Sequence, residues 1–583
     1  MRLLKIYILF QILALSLGSC KDMLNPVDDN HSSFARVYSD PAYAEGLLIT
    51  AYSRLPVNTL NGSDVATDDA VTNDKQDNNL QMANGQWSAI FNPVSEWDNS
   101  NGAIFYINKF LSIVDTVPWQ SRSEVINKLF IQRLTGEAYA LRGLFEYRLL
   151  MTVGGVGSNG QLLGIPIYNK FINADENFNI PRASFTESVT QIYADFDKAL
   201  TYLVMDDYKN ITSITNLPSG MSGIAISDYN TVFGNFDMQR ISGRIVKALK
   251  ARVALLAASP AFSTDNTLWE IAANYAATSI NLAGGISSLD PNGYKFFNST
   301  IVDKVKLPSA DQKEMIWRQA IVTSNTWESN NYPPSLYGNG RINPTQNLVD
   351  AFPMKNGYPI SDPLSLYNPS KPYTNRDPRL ALYILYNGSI MKTQTIKTGL
   401  GGGNNAKDSL GNSTRTGYYL RKMIREDVNL DPVAINTKKH YSVYMRYTEL
   451  FLTYAEAANE TWGPDGTGTN NFSARDVIAA IRKRAGITQP DKYLASITTT
   501  EDMRNLIHNE RRLELCFEGF RFWDLRRWNA DLTEPAKGIN IIGANYAVVN
   551  VEPRTYDNSY MHYGPIPNGE IVKFSALIQN KGW

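Results

Sequence analysis

Apolar residues recur three or four positions apart along much of this chain. Leu134, Ala138, Leu141, Phe145 and Leu149 form one such stripe, and Ile192, Phe196, Ala199 and Leu203 form another. The step repeats in Ile245, Leu249, Val253 and Leu256, in Trp269, Ala273, Ala276 and Ile280, and in Tyr447, Phe451, Tyr454 and Ala458. This spacing places side chains on one helical face. It predicts helices over 133–150, 185–203, 243–258, 267–283 and 446–460. Helices also fit 41–54, 101–116, 473–485 and 501–518, the last capped by Thr500 or Asp502 with Glu501 in its first turn.

Alanine is frequent on the contact faces, as in Ala248, Ala251, Ala254 and Ala257. Small residues let helices approach closely in pairs, as they do in tetratricopeptide arrays. The predicted pairs are 133–150 with 185–203, 243–258 with 267–283, and 446–460 with 473–485. Between the helices lie long polar stretches, 57–98, 205–240, 285–345 and 355–440, rich in Asn, Asp, Ser, Gly, Pro and Tyr. Insertions of that length are usually functional or carry short strands of their own. The expected fold is mainly α: a tetratricopeptide-like helical-pair scaffold with long irregular loop insertions and no large sheet.

The N-terminus breaks this pattern. Arg2 and Lys5 precede an apolar run from Ile6 to Leu17. The run is too short to span a bilayer permanently and has the length of a signal-peptide core. Leu17-Gly18-Ser19-Cys20 then resembles the lipobox of bacterial lipoproteins. Residues 1–19 are expected to be a signal peptide, Cys20 to be lipidated, and 20–40 to form a polar tether. A single domain then covers 41–583, with an N-terminal part to about 300 and a C-terminal part from about 301. An ordinary secretory signal is the alternative. Lipidation would consume Cys20 and leave Cys516 as the remaining cysteine of the 583 residues, so no internal disulfide is expected.

Charge narrows the function. Lys plus Arg and Asp plus Glu each number 56, a balance that offers little to nucleic acid. The sequence contains no H-E-x-x-H, G-x-S-x-G, Walker or C-x-x-C pattern, and its four histidines are dispersed. No enzyme activity, cofactor or metal is expected. Asp64, Asp68, Asp69, Asp74 and Asp77 could supply oxygen ligands to calcium, but a solvated loop accounts for them more simply. Gly399 to Gly403 is expected to be a flexible loop, because polar residues follow it where a phosphate loop would continue into an apolar helix. Glu510, Glu514 and Glu518 stand one helical turn apart beside several arginines, which suits a partly buried Arg–carboxylate network. Cys516 is expected to be a buried, inert thiol.

The segment from Asn509-Glu510-Arg511 through Glu514-Leu515, Phe517-Glu518-Gly519 and Arg521, on to Asp524-Leu525, Arg527 and Trp528, resembles the hallmark of the SusD/RagB family. Gly136-Glu137-Ala138 with Leu141-Arg142, Asn343-Pro344-Thr345 with Leu348 to Phe352, Asn375 to Leu380, Arg446 to Leu450 with Tyr454 to Ala457, and Gly564 to Pro567 resemble further family motifs in family order. The resemblance implies a lipid-anchored outer-membrane protein, facing the exterior. It would bind an oligosaccharide or polysaccharide and deliver it to a SusC-type TonB-dependent transporter. A peptide-capturing lid of the same architecture remains open, as does a glycoside-processing enzyme using an unrecognised carboxylate pair.

Sugars offer apolar CH faces and paired hydroxyls, so a site needs aromatic platforms beside amide or guanidinium heads. The insertions supply both in 80–98 and 320–345. Trp87, Trp327, Asn330, Tyr332, Tyr337 and Arg341 are the candidates, with Gln86, Asn331 and Asn339 nearby. Trp97, beside a predicted helix, is assigned to structure.

Overall fold

The computed structural model describes residues 36, 38–57, 59–305 and 313–583. The leader, Cys20 and His31 lie outside the described residues.

Among the described residues, the nine longest helices carry the scaffold: α1 (Pro41–Ser53), α2 (Trp97–Leu111), α3 (Glu124–Val153), α4 (Phe185–Leu200), α5 (Gly243–Ala258), α6 (Thr267–Leu282), α7 (Tyr447–Trp462), α8 (Ala474–Ala485) and α9 (Thr500–Leu515). From α1 to α7 each helix packs on its predecessor, and α7 packs on α6, α8 and α9. The predicted pairs are α3 with α4, α5 with α6, and α7 with α8, and all three form. Capping boxes start two of the helices: Ser184 with Glu187, and Ser473 with Asp476. Thr499, one residue before the predicted cap, accepts from Asp502 N and starts α9. Helix α2 begins at Trp97, four residues before its predicted start.

Small residues set the spacing. A Cβ on Gly136 would lie 2.8 Å from Leu203, and one on Gly143 would lie 2.8 Å from the Phe196 ring. These glycines, two turns apart on α3, let α4 sit close. Arg142 between them donates twice to Asp195 at 2.6 Å and once to the Asn108 side chain. The alanines of α5 and α6 are buried, as their positions predict.

The long polar stretches fold onto one another. Strands β1 (Ala70–Thr72), β2 (Met315–Arg318), β3 (Val322–Ser324), β4 (Ile342–Pro344), β5 (Lys438–His440), β6 (Val443–Arg446), β7 (Ala536–Ile542) and β8 (Asn545–Glu552) pair as β1–β4, β2–β6, β3–β5 and β7–β8, all antiparallel. Every described sheet has two strands. They frame a second core of aromatic and aliphatic residues, including Phe296, Tyr332, Phe352, Tyr383, Tyr418 and Tyr419.

An ionic cradle around α9 joins the two cores. Arg379 donates to Glu510 at 2.9 Å and to Glu514 at 3.1 Å. Arg482 reaches Glu510, Arg484 reaches Glu514 at 2.6 Å, and Arg446 spans Glu314, Glu514 and Glu518. Each carboxylate is buried, so its charge is offset by guanidinium partners. Burial alone would push Glu514 up, but Arg484, Arg446 and Arg379 outweigh it and hold the carboxyl at about 2. The predicted network is therefore real, and more deeply buried than its sequence implied.

The acidic cluster differs from expectation. Asp64, Asp68 and Asp69 are buried. Arg512 binds Asp68 and Asp69 at 2.6 Å each, and Arg521 binds Asp68 at 3.0 Å. These carboxylates are neither solvated nor set out for calcium: they lock the 64–69 segment to the C-terminal motif. Among the described residues no group of acids, His or Cys could hold a metal. Cys516 lies just past the end of α9, buried, with burial pushing its thiol up to about 12.

Candidate ligand-binding surface

The segments after β1, between α6 and β4, and around 404–413 meet at one exposed surface, and Asn73 ties them together. Its side-chain amide donates to Asn339 O at 2.8 Å and Gly340 O at 2.9 Å, and more weakly to Ser413 O. Asn412 adds a bond to Gly338 O at 3.3 Å. Arg341 N donates to Asn330 O and Asn339 N to Ser329 O, each at 2.9 Å. Backbone that would otherwise be loose is thereby fixed.

Tyr337 stands on this platform and is 59 % exposed. A short 3₁₀ turn, Pro334–Leu336, leads into it, and its backbone adopts φ 65°, ψ 19°. That left-handed conformation costs a residue with a Cβ about 1–2 kcal/mol. Retained strain of this kind clusters at functional positions. The same segment carries exposed Asn330 and Asn339 and half-buried Arg341. Arg341 Nη1 lies 3.1 Å from Asp74 Oδ2, with both side chains about two-fifths exposed. The segment thus exposes an apolar ring, two amides and a guanidinium.

Two of the predicted platforms are elsewhere. Trp87 is 4 % exposed, wedged among Phe522, Tyr556 and Trp583 with the Arg526 guanidinium over its ring, and its indole N–H donates to Asn92. It has no face to give a ligand; it anchors the chain's C-terminal segment. Tyr332 is fully buried, its hydroxyl donating to Arg425 O at 2.5 Å and to Val428 O at 3.1 Å. Both rings lie in polar insertions, but the insertions themselves enclose cores. Trp97 is buried, as its structural assignment requires.

Trp327 falls between these cases. It is half-buried, meets His440 edge-on at 5.0 Å, and borders a hollow of about 190 Å³ with Val322, Thr326 and Ser442. Asn330 lies on the same short helix, Thr326–Asn331. His440 Nε2 faces Glu328 Oε1 at 3.0 Å and its Nδ1 faces Lys438 O at 2.9 Å, so the ring is held firmly behind the tryptophan. Sequence reasoning missed Asn73 and Asn412, and took Asp74 only for a solvated loop acid or a calcium ligand. Asn73 follows β1 with no local signal, because its partners lie more than 260 residues away.

Comparison with known proteins bears on this architecture. Residues 301–583 match the SusD family, and residues 44–220 match a family described as "Starch-binding associating with outer membrane". The chain belongs to the SusD/RagB family. Among curated proteins, SusD-like protein P2 of Formosa agariphila is 29% identical over 140 residues, covering 23% of this chain and 24% of its own. SusD-like protein P38 of the same organism is 30% identical over 120 residues, covering 19% of this chain and 22% of its own. The matched stretches thus span about a quarter of those relatives. A SusD-like protein from Bacteroides fragilis superposes with a TM-score of 0.71 at 24% identity, over 96% of this chain and 100% of that one. A laminarin-binding SusD-like protein superposes with a TM-score of 0.57 at 19% identity, over 93% and 99%. At these identities the likeness establishes the fold. It is the SusD-like helical-pair architecture, mainly α with short strands in its insertions.

Proposed function

We propose that this SusD-family protein captures an oligosaccharide or polysaccharide at the Tyr337 surface. It then delivers the glycan to a SusC-type TonB-dependent transporter in the outer membrane. The observation that carries the reading is Tyr337 itself: an exposed ring, held by strained backbone, on the same segment as amide and guanidinium side chains. A pyranose can lay its CH face on that ring while its hydroxyls pair with Asn330, Asn339 and Arg341. Trp327 and its hollow extend the surface for a second sugar unit. Relatives of the same fold carry the descriptions "laminarin binding" and "carbohydrate binding", which supports a glycan over a peptide.

In this reading Cys20 is acylated and holds the protein at the outer face of the membrane, with 20–40 as its tether. Among the described residues no helix is long and apolar enough to cross a membrane. A lipid anchor would therefore carry the attachment. Binding and release, rather than bond cleavage, are the work assigned to the surface.

The test is calorimetric titration of parent and Tyr337→Ala with laminari-, malto- and xylo-oligosaccharides. A Kd five- to a hundredfold weaker in the variant supports the surface, by analogy with the roughly 1–3 kcal/mol measured for base–aromatic stacking. Equal affinity in a folded variant rejects it. Membrane fractionation of a Cys20→Ala variant checks the anchor: the altered protein should leave the membrane fraction.

A further inference from the structure

The hairpin of β7 and β8 has one covered edge and one open edge. Leu400 N donates to Ile541 O at 2.9 Å, and Ile539 N donates to Thr416 O at 2.8 Å. Those bonds cover the outer side of β7, and they also fix which way each residue points. Ile539 and Ile541 turn their main-chain groups away from β8, and their register partners are Val548 and Tyr546. In an antiparallel pair, residues that face each other either exchange bonds or both point outward. Val548 and Tyr546 therefore point away from β7, and so does Asn550, two residues further on. Among the described residues no main-chain group bonds to these outward N–H and C=O groups. Nor has β8 any strand neighbour there besides β7.

Proteins usually blunt an open edge with lysine, proline, a bulge or a covering segment. From Asn545 to Val551 this strand carries no charge and no proline. The register of the hairpin shifts between Ala536 and Lys537, at the far end from the turn. Ala547 and Asn550 are exposed, and Val548 is 55 % exposed. The strand is nevertheless held in place at both ends. Tyr546 meets the Tyr373 ring edge-on at 5.9 Å, and Glu552 is paired with Arg415. A fixed, uncharged strand with a row of unpaired main-chain groups is a template for another strand.

The strand is also its own complement. A two-fold axis at Val548 sets that residue against its own copy, Tyr546 against Asn550, Ala547 against Val549, and Asn545 against Val551. Every outward N–H and C=O of Tyr546, Val548 and Asn550 then finds a partner. Glu552, the only charged residue of β8, falls opposite Ala544, so no like charges meet. The outer strands of the combined sheet are the two copies of β7, each already covered by Leu400 and Thr416. Pairing thus leaves no open edge and stops at two copies, the closed arrangement most common among soluble oligomers. A strand from a different protein would bring a second edge of its own. The chain's balanced charge, 56 of each sign, adds no net repulsion between copies.

We propose that this protein forms a two-fold dimer by antiparallel pairing of β8 with the β8 of a second copy, centred on Val548. The proposal rests on neither the glycan surface nor the lipid anchor.

Light scattering of the detergent-solubilised full chain, corrected for bound detergent, tests it. The parent should show twice the chain mass when concentrated and the chain mass on dilution. Val548→Pro removes an N–H that faces away from β7, so the hairpin keeps its own bonds. It should weaken the dimer roughly tenfold or more, because the hydrogen bonds at the axis are lost. Val548→Lys keeps the backbone intact and sets two lysines face to face, which should weaken the dimer as well. Val548→Cys should give a disulfide-linked dimer on mild oxidation, because Cα atoms so paired lie about 5.5 Å apart. Asn545→Cys is also exposed but stands opposite Val551, far from its own copy, and should not cross-link. A parent that stays monomeric up to its solubility limit overturns the proposal. So does a dimer that either folded variant, Val548→Pro or Val548→Lys, leaves intact, and so does equal cross-linking by the two cysteines.

Discussion

The contact between α3 and α4 and the cradle around α9 are both deeply buried, yet they are built from opposite materials. Between α3 and α4, glycines at 136 and 143 remove side chains so that Phe196 and Leu203 can fill the space. Around α9, Glu510, Glu514 and Glu518 are surrounded by Arg379, Arg446, Arg482 and Arg484. The first contact joins two helices that follow one another in the scaffold, each presenting a continuous apolar face. The second gathers partners from scattered places in the chain: Arg482 and Arg484, 28 and 30 residues before their carboxylates, Arg446, 68 residues before Glu514, and Arg379, more than a hundred residues away. Apolar surfaces are interchangeable, so they make poor long-range addresses. A guanidinium that needs a particular carboxylate is a more selective one, and breaking such a pair leaves an uncompensated buried charge.

The largest effect should come from the cradle. Arg446→Ala leaves Glu314, Glu514 and Glu518 without their shared partner, and should cost about 3–5 kcal/mol in denaturant unfolding. Trp87→Ala should cost a similar amount, about 3–5 kcal/mol, because it opens the aromatic cluster. Equal stability in either variant would undo its assignment as structure. Gly143→Ala should cost about 1–3 kcal/mol through overpacking against Phe196, and a paired Phe196→Leu should recover part of it. Tyr337→Ala sharpens the contrast from the other side. Its unfolding free energy should change by no more than about 0.5 kcal/mol, as for an ordinary surface position, while glycan affinity falls.

The pH dependence should divide the same way. Glu514 is held at about 2 in the fold, below its ordinary value of 4.5. Its contribution is therefore present above about pH 4.5 and lost as pH falls through 2. Asp64 has the opposite sign. Burial, and then the neighbouring Asp69, raise it from 3.8 to about 7, so the folded state binds its proton more tightly. Its contribution is complete below about pH 4 and lost as pH rises through 7. Asp64→Asn should remove the alkaline part of that decline. Urea midpoints of parent and variant at pH 5 and pH 8 compare the two: the parent should lose more between these values than the variant does.

The helices, their pairing and the family were legible in the order of residues. The step of three and four in Leu134 to Leu149 and the alanines of α5 are local properties, and helix pairs joined by short connections carry their address with them. The insertions were not legible in the same way. Tyr332 and Tyr337 sit five residues apart in one polar stretch, yet one ring is fully buried and the other is mostly exposed. Nothing in their immediate neighbours separates them. Tyr332 is enclosed because the segment around Arg425 and Val428 closes over its hydroxyl, and Tyr337 is left out because the strained turn after Pro334 points it away. Trp87 likewise is core because Phe522, Tyr556 and Trp583, all more than 400 residues away in sequence, pack around it. Sequence by itself determined the scaffold, since helical burial follows a period of 3.6 residues that neighbouring positions alone define. Which aromatic rings face a ligand was decided by contacts spanning tens to hundreds of residues, and only the tertiary structure brings those together.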